Sequence, residues 1–453
     1  MMNFLKKIFS TTILIISISL LIYTFYKSEI IWDGEERNYY KTYYLISSIL
    51  IFFSIISFFI NDKIKEYLII FNISLIISLY LFEGYLTLND RHSREQLYEK
   101  QTGNKWDGRS KIQIYKDLKK KNDNITIRYH PSYLVNKNYD NIFLPLSGLS
   151  NSETIHCNEN GYYSIYQSDR YGFNNPDSEW DKKEIEYLLV GDSFAHGECV
   201  NRPNDISSVL RNLSNKSVLN LGIGGNGPLI EYATLREYLD RNVKKVLWIY
   251  YEGNDLEDLI NEKTNNILIK YLEDLNFTQN LKFKQNEINS LLSNIIKETE
   301  REREREIERN TFKFKLIKFI KIFNTRNSIL PKPTPESMPV PGPVSVPVSI
   351  PVPAQEFKQI LQLTKELINK NNSKLYFVYL PVYSRYSRTY DNTNYNLVKN
   401  ILNELNIPFI DIHREVFENE QNPLKLFPFE QPGHYNIDGY EKVAETIYKF
   451  SKD

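Results

Sequence analysis

Cysteine is scarce in this chain of 453 residues: only two occur, Cys157 and Cys199. That excludes a disulfide-stapled miniprotein and a four-cysteine zinc module. A surplus of either charge is also missing. Lys plus Arg total 56 and Asp plus Glu total 56, so the chain lacks the basic footprint of a nucleic-acid binder. No nucleic-acid partner is expected. Histidine numbers only six and shows no H-x-x-x-H spacing, so neither a metal site nor a cofactor is expected. What is present is unevenly spread, with apolar residues crowded into the first 90 positions. A uniformly soluble protein is excluded.

Between Lys7 and Lys27 lie nineteen uncharged residues, and between Lys41 and Asp62 twenty more. A third stretch, Tyr67 to Leu88, carries a single charge at Glu83. A spanning helix needs about twenty mainly apolar residues, so residues 1–90 predict three transmembrane helices, with the lipid bilayer as partner. The first run lacks a small-residue cleavage site and reads as a retained anchor. Lys6 and Lys7 precede it, and Lys63 and Lys65 sit in the 62–66 turn. Both clusters belong on the cytoplasmic side. Three spans then put everything after about residue 90 outside, as a multi-pass protein of the cytoplasmic (inner) membrane with an extracytoplasmic, periplasmic domain. In that oxidising space a Cys157–Cys199 disulfide can persist; two free buried thiols are the other reading.

Residues 91–149 open with charged, helix-compatible sequence and read as a stalk or peripheral segment. From 150 to 453 the signals alternate. Buried-strand runs at Ile185–Val190, Ser217–Leu221, Lys245–Tyr251, Lys374–Leu380 and Ile407–Ile412 are separated by helical segments at 204–214, 228–242, 355–370 and 393–405. Strands alternating with helices predict an α/β fold with a parallel sheet covered on both faces. An insertion at 258–353 interrupts the pattern: long helices with the charged run Glu298–Arg309, then a Pro/Val-rich linker at 331–353. The linker holds nine of the nineteen prolines and reads as a polyproline spacer.

The stretch that carries chemistry is Gly191-Asp192-Ser193-Phe194, directly after the first of these strands. Ser193 falls where a strand turns into a helix, at the carboxyl edge of the sheet where ligands of such folds bind. Its hydroxyl suits a nucleophile, because charge developing there meets backbone donors. Asp192 reads as a brace for the turn. Next comes the glycine-rich loop Asn220–Gly227, which spells G-x-G-G-x-G and not the dinucleotide spacing. Glu252-Gly253-Asn254-Asp255 follows the third strand, and the Asn254 amide suits an oxyanion. Near the C-terminus, His434 in Gly433-His434-Tyr435-Asn436 suits a base for Ser193.

With these four blocks in order, the sequence resembles the SGNH, or GDSL-type, hydrolases over about residues 150–255 and 355–450. The resemblance implies Ser193 as nucleophile, Gly225 and Asn254 as oxyanion-hole residues and His434 as catalytic base. It also implies a three-layer α/β/α sandwich around a central parallel sheet. CNENG at 157–161, DRYGFNNP at 169–176, GDSFAHGECV and YYEGND together look like a bacterial membrane-anchored subgroup. One position departs from the pattern. Many members carry an Asp three residues before the His, where Gln431 stands here. Glu430 is the favoured replacement, Asp411 the second choice, and a Ser–His dyad the third. The expected function is a membrane-anchored serine ester hydrolase acting on an acylated envelope carbohydrate or lipid. An O-acyltransferase of a cell-surface polysaccharide and a non-catalytic envelope scaffold are the alternatives.

Overall fold

The computed structural model describes residues 2–31, 37–88, 93–136, 143–239, 242–323, 325–326, 353–387 and 390–452. The Pro/Val linker lies outside them apart from Pro353, as do the side chains of 299–309 within the charged run. The chain divides into two units: residues 1–91 with 306–350, and residues 92–305 with 351–453.

In the first unit, helices cover Met2–Phe25, Arg37–Ile56 and Asp62–Leu88. Among the described residues two segments, not three, are long and apolar enough to cross a bilayer: Lys6–Ile30 and Asp62–Thr87. The middle apolar helix, Tyr40–Ile56, is shorter. At 1.5 Å per residue it reaches only about 25 Å of a roughly 30 Å hydrocarbon layer. Hydroxyls link the first two helices, with Ser10 Oγ donating to the Ser57 carbonyl at 3.0 Å and the Ser17 and Ser54 hydroxyls 3.1 Å apart. Glu83 is buried, and its carboxylate accepts the N–H and O–H of Thr325 at 2.8 and 2.9 Å.

Among the described residues the second unit contains two sheets. Strands β1 (Ile125–Ile127), β2 (Glu153–Ile155) and β3 (Ile165–Gln167) form a small mixed sheet, β1 parallel and β3 antiparallel to β2. The expected stalk, 91–149, therefore supplies a strand of this unit. The main sheet is wholly parallel: β4 (Ile185–Gly191), β5 (Val218–Asn220), β6 (Val243–Tyr251), β7 (Lys374–Leu380) and β8 (Phe409–Asp411), in the order β5-β4-β6-β7-β8. Successive side chains of a strand point to opposite faces. Leu188 and Val190 of β4, with Val246, Trp248 and Tyr250 of β6, join one core beneath the helices Pro228–Tyr238, Ala354–Lys370 and Thr393–Glu404. Tyr187 and Leu189, with Leu247 and Ile249, join a second core beneath Ile206–Ser214 and Ile437–Ser451. Both faces being covered explains why these strands read as continuous apolar runs. The chain leaves β4 for β5 on one side and returns past it to β6 on the other. This reversal opens a crevice at the carboxyl ends of β4 and β6.

Candidate active site at the sheet's carboxyl edge

β4 delivers Ser193 to that crevice. A side chain on Gly191 would stand 2.5 Å from the Ile249 carbonyl of β6, so glycine is required for the strands to stay together at this point. Asp192 turns the chain: its carboxylate accepts the Phe194 N–H at 2.8 Å and the Ser193 hydroxyl at 3.2 Å. The adjoining ring of Phe194 stacks on Tyr251 at 4.0 Å between centroids.

His434 reaches the same point from the other end of the chain. Tyr435 anchors the segment by donating to the Pro381 carbonyl at 2.7 Å. Asn436 caps the final helix, accepting the Gly439 N–H at 2.9 Å. The imidazole Nε2 lies 3.0 Å from Ser193 Oγ. Its Nδ1 lies 3.1 Å from Glu159 Oε1, and the His434 backbone N–H donates to Glu159 Oε2 at 2.8 Å. The structure therefore links Ser193, His434 and Glu159 in one hydrogen-bonded chain. Glu159 had no assigned role in the sequence reading.

Glu430 is not in that chain. Phe429 and Glu430 both have a φ of +56°, which redirects the backbone before His434. The Glu430 side chain is left exposed and accepts from Asn422 Nδ2 at 3.2 Å. Asp411 is engaged elsewhere, accepting the Tyr395 hydroxyl and the Arg414 N–H. Glu159 was hidden by sequence distance, 275 residues before His434. A signal existed, because Cys157 is bonded to Cys199. That bond ties the CNENG segment to the stretch just after Ser193, and Asn160 Nδ2 adds a hydrogen bond to the Cys199 carbonyl at 2.9 Å. Of the two readings left open for the cysteines, the structure contains the disulfide.

The two expected oxyanion residues follow the carboxyl ends of β5 and β6. Gly225 has a φ of +75°, a conformation that favours glycine. Its neighbour Gly224 runs beside Arg128 and Glu198: a side chain there would stand 2.7 Å from Glu198 Oε2. Asn254 precedes the helix Asp255–Glu262, and its Nδ2 donates to Asp258 Oδ2 at 2.6 Å. An amide nitrogen carries two N–H groups, so one remains for a ligand.

Charge is concentrated around the imidazole. Burial alone depresses a histidine pKa, but the Glu159 and Glu198 carboxylates overcome it and push His434 up to about 9. Burial pushes Asp192 up to about 6. For Glu198 the burial penalty is outweighed by Arg128 and His434, which hold it down at about 2.

The second unit thus holds a hydroxyl, an imidazole and a carboxylate in one hydrogen-bonded chain at the carboxyl edge of a parallel five-stranded sheet. The chain is similar to two solved structures. One is a lipolytic protein of the G-D-S-L family from Desulfitobacterium hafniense DCB-2, 14% identical at a TM-score of 0.32, covering 59% of this chain and 99% of that one. The other is the acetyl xylan esterase AlAXEase, 13% identical at a TM-score of 0.32, covering 58% of this chain and 98% of that one. No protein-family model matches the chain, and no curated protein matches it.

Proposed function

We propose that the protein is a membrane-anchored, extracytoplasmic serine ester hydrolase acting on an acylated envelope carbohydrate or lipid. The observation that carries this reading is the chain from Ser193 Oγ through His434 to Glu159, with links of 3.0 and 3.1 Å. Ser193 Oγ attacks the ester carbonyl carbon while His434 Nε2 takes its proton. Glu159 orients the ring through Nδ1 and stabilises the imidazolium. The Ser193 and Gly225 N–H groups and the Asn254 amide receive the oxyanion. Nε2 returns the proton to the leaving alcohol, and a water molecule releases the acid from Ser193 by the same route.

Anchoring is supported by the apolar side chains that the first unit turns outward, among them Ile15, Phe52 and Phe71, each about 60% exposed. An extracytoplasmic second unit is supported by its disulfide, which persists in oxidising compartments. An activity reporter fused at the C-terminus that works only in the cytoplasm tests this, and a signal from it removes the localisation.

The chemistry is tested on the full chain in detergent with a fluorophosphonate probe and a small acetyl ester. Ser193 should label and the ester should turn over, with both lost in Ser193→Ala. Asn254→Ala should slow turnover by about 10²–10³ while labelling stays detectable. If Ser193 never labels in the folded chain, the scaffold reading replaces the hydrolase. Product analysis with a polysaccharide acceptor separates hydrolysis from acyl transfer, since the two differ only in what resolves the acyl-serine.

A further inference from the structure

His434 has a second acidic neighbour that the proposed chemistry does not use. Glu198 Oε2 lies 3.7 Å from Nε2, on the opposite side of the ring from Glu159. It is held there. Arg128 Nη1 stands 2.7 Å from the same oxygen, and both side chains are nearly buried, at 5% and 11% exposure. The Glu198 carbonyl accepts the Tyr440 hydroxyl at 3.2 Å, and the next residue is the disulfide-bonded Cys199. A buried ion pair beside a reacting nitrogen is costly to build. Packing alone would be served better by apolar side chains.

We propose that Glu198, fixed by Arg128, is a second charge partner of His434: a positioning residue that sets the proton affinity of Nε2 and thereby the pH at which Ser193 can be deprotonated. This inference rests on the Ser–His reading above and adds to it the control of that site. With one carboxylate at each ring nitrogen, the resting imidazole carries its proton at neutral pH. The base form then appears only as the pH nears the His434 value of about 9.

Among the described residues, two other charged groups act on His434 or on its partner Glu159. Asp192 adds negative charge from the nucleophile turn, and Arg94 adds positive charge beside Glu159. Around Glu198 itself stand His130, His156 and His196, with His156 Nε2 at 3.7 Å; burial first and then Arg128 hold His130 at about 3, His196 at about 4 and His156 well below its ordinary value, so all three stay neutral across the window that matters.

The test uses the full chain in detergent at pH 5.5 to 10.5. Diethyl pyrocarbonate acylates neutral imidazole, so modification of the His434 peptide followed by mass spectrometry reports its protonation without requiring turnover. Fluorophosphonate labelling of Ser193 reports nucleophilicity over the same range. The wild-type His434 midpoint should lie near 9. In Glu198→Gln it should fall by about one unit, and labelling at pH 7 should become up to about tenfold faster, because a one-unit shift changes the neutral fraction about tenfold. Glu198→Asp keeps the charge and should retain most of the wild-type midpoint. A wild-type midpoint near the ordinary 6.5, or a Glu198→Gln midpoint equal to wild type, overturns the proposal. A shifted His434 midpoint with no Ser193 labelling in any variant leaves the charge coupling standing and sinks the hydrolase reading instead.

Discussion

At the scale of single residues, Glu159 and Glu430 offer the sharpest contrast. Both are carboxylates, and the sequence brings only Glu430 to His434, yet it is Glu159 that lies 3.1 Å from Nδ1. Glu159→Gln keeps the shape and removes the charge that stabilises the imidazolium. Turnover of a small ester should fall by roughly 10³–10⁴, the scale for neutralising the acid of a Ser–His–acid set. Glu430→Gln should change it by less than about twofold, since an exposed side chain away from such features has little effect. Equal losses in the two variants would remove Glu159 from the role. Ser193 and His434 were legible because each stands in a short block directly after a strand or before a helix. The acid was not, since its position relative to His434 is made by tertiary structure, and the segment 428–430 turns away from the ring that sequence spacing assigned to it.

At the scale of elements, the five strands of the main sheet were readable because both faces are buried, which makes them mainly apolar runs set between helical segments. Strands β1, β2 and β3 were not. Each is three residues long, as β5 and β8 are, but all three precede the first of the alternating runs, Ile185–Val190, and so lack the strand–helix alternation that marks the main sheet. Helix existence was equally plain in the first unit, but spanning length was not, because the twenty uncharged residues from 42 to 61 include the turn that ends the helix at Ile56. The element that ties the site together is the disulfide. It spans 42 residues of sequence, and closing a loop of that size in the unfolded chain is worth about 4 kcal/mol by the chain-entropy relation. Cys157→Ser should therefore lower the melting temperature. It should also reduce turnover at temperatures where the chain stays folded, because Glu159 loses its tether. Reduced melting with unchanged turnover would confine the bond to stability.

At the scale of the whole molecule, buried acids shape the response to pH. Burial holds Asp169 at about 6 and Glu262 at about 7, and pushes Glu231 well above its ordinary value. Unfolded carboxyls release their protons near 4, so between these values the folded chain binds more protons than the unfolded one. These groups therefore favour the folded state fully below about pH 4, and that contribution is lost as the pH rises through 6 and 7. Glu231→Gln removes one of them without adding bulk. Its melting temperature should decline less steeply than that of wild type from pH 6 to 9, and parallel curves would refute the assignment. The covalent connectivity has a further consequence. The bond from Cys157 to Cys199 closes the backbone into a macrocycle, and Glu159, Ser193 and Glu198 all lie on its circumference. Of the four proton-handling groups, only His434 enters from outside. A protease that cuts one peptide bond between 163 and 183 thus opens the circle without releasing any of them, and the nicked chain should retain activity until a thiol is added. Oxidant and protease would then act in sequence on the same ring: the first makes the site tolerant of a cut, and its reversal makes that cut lethal.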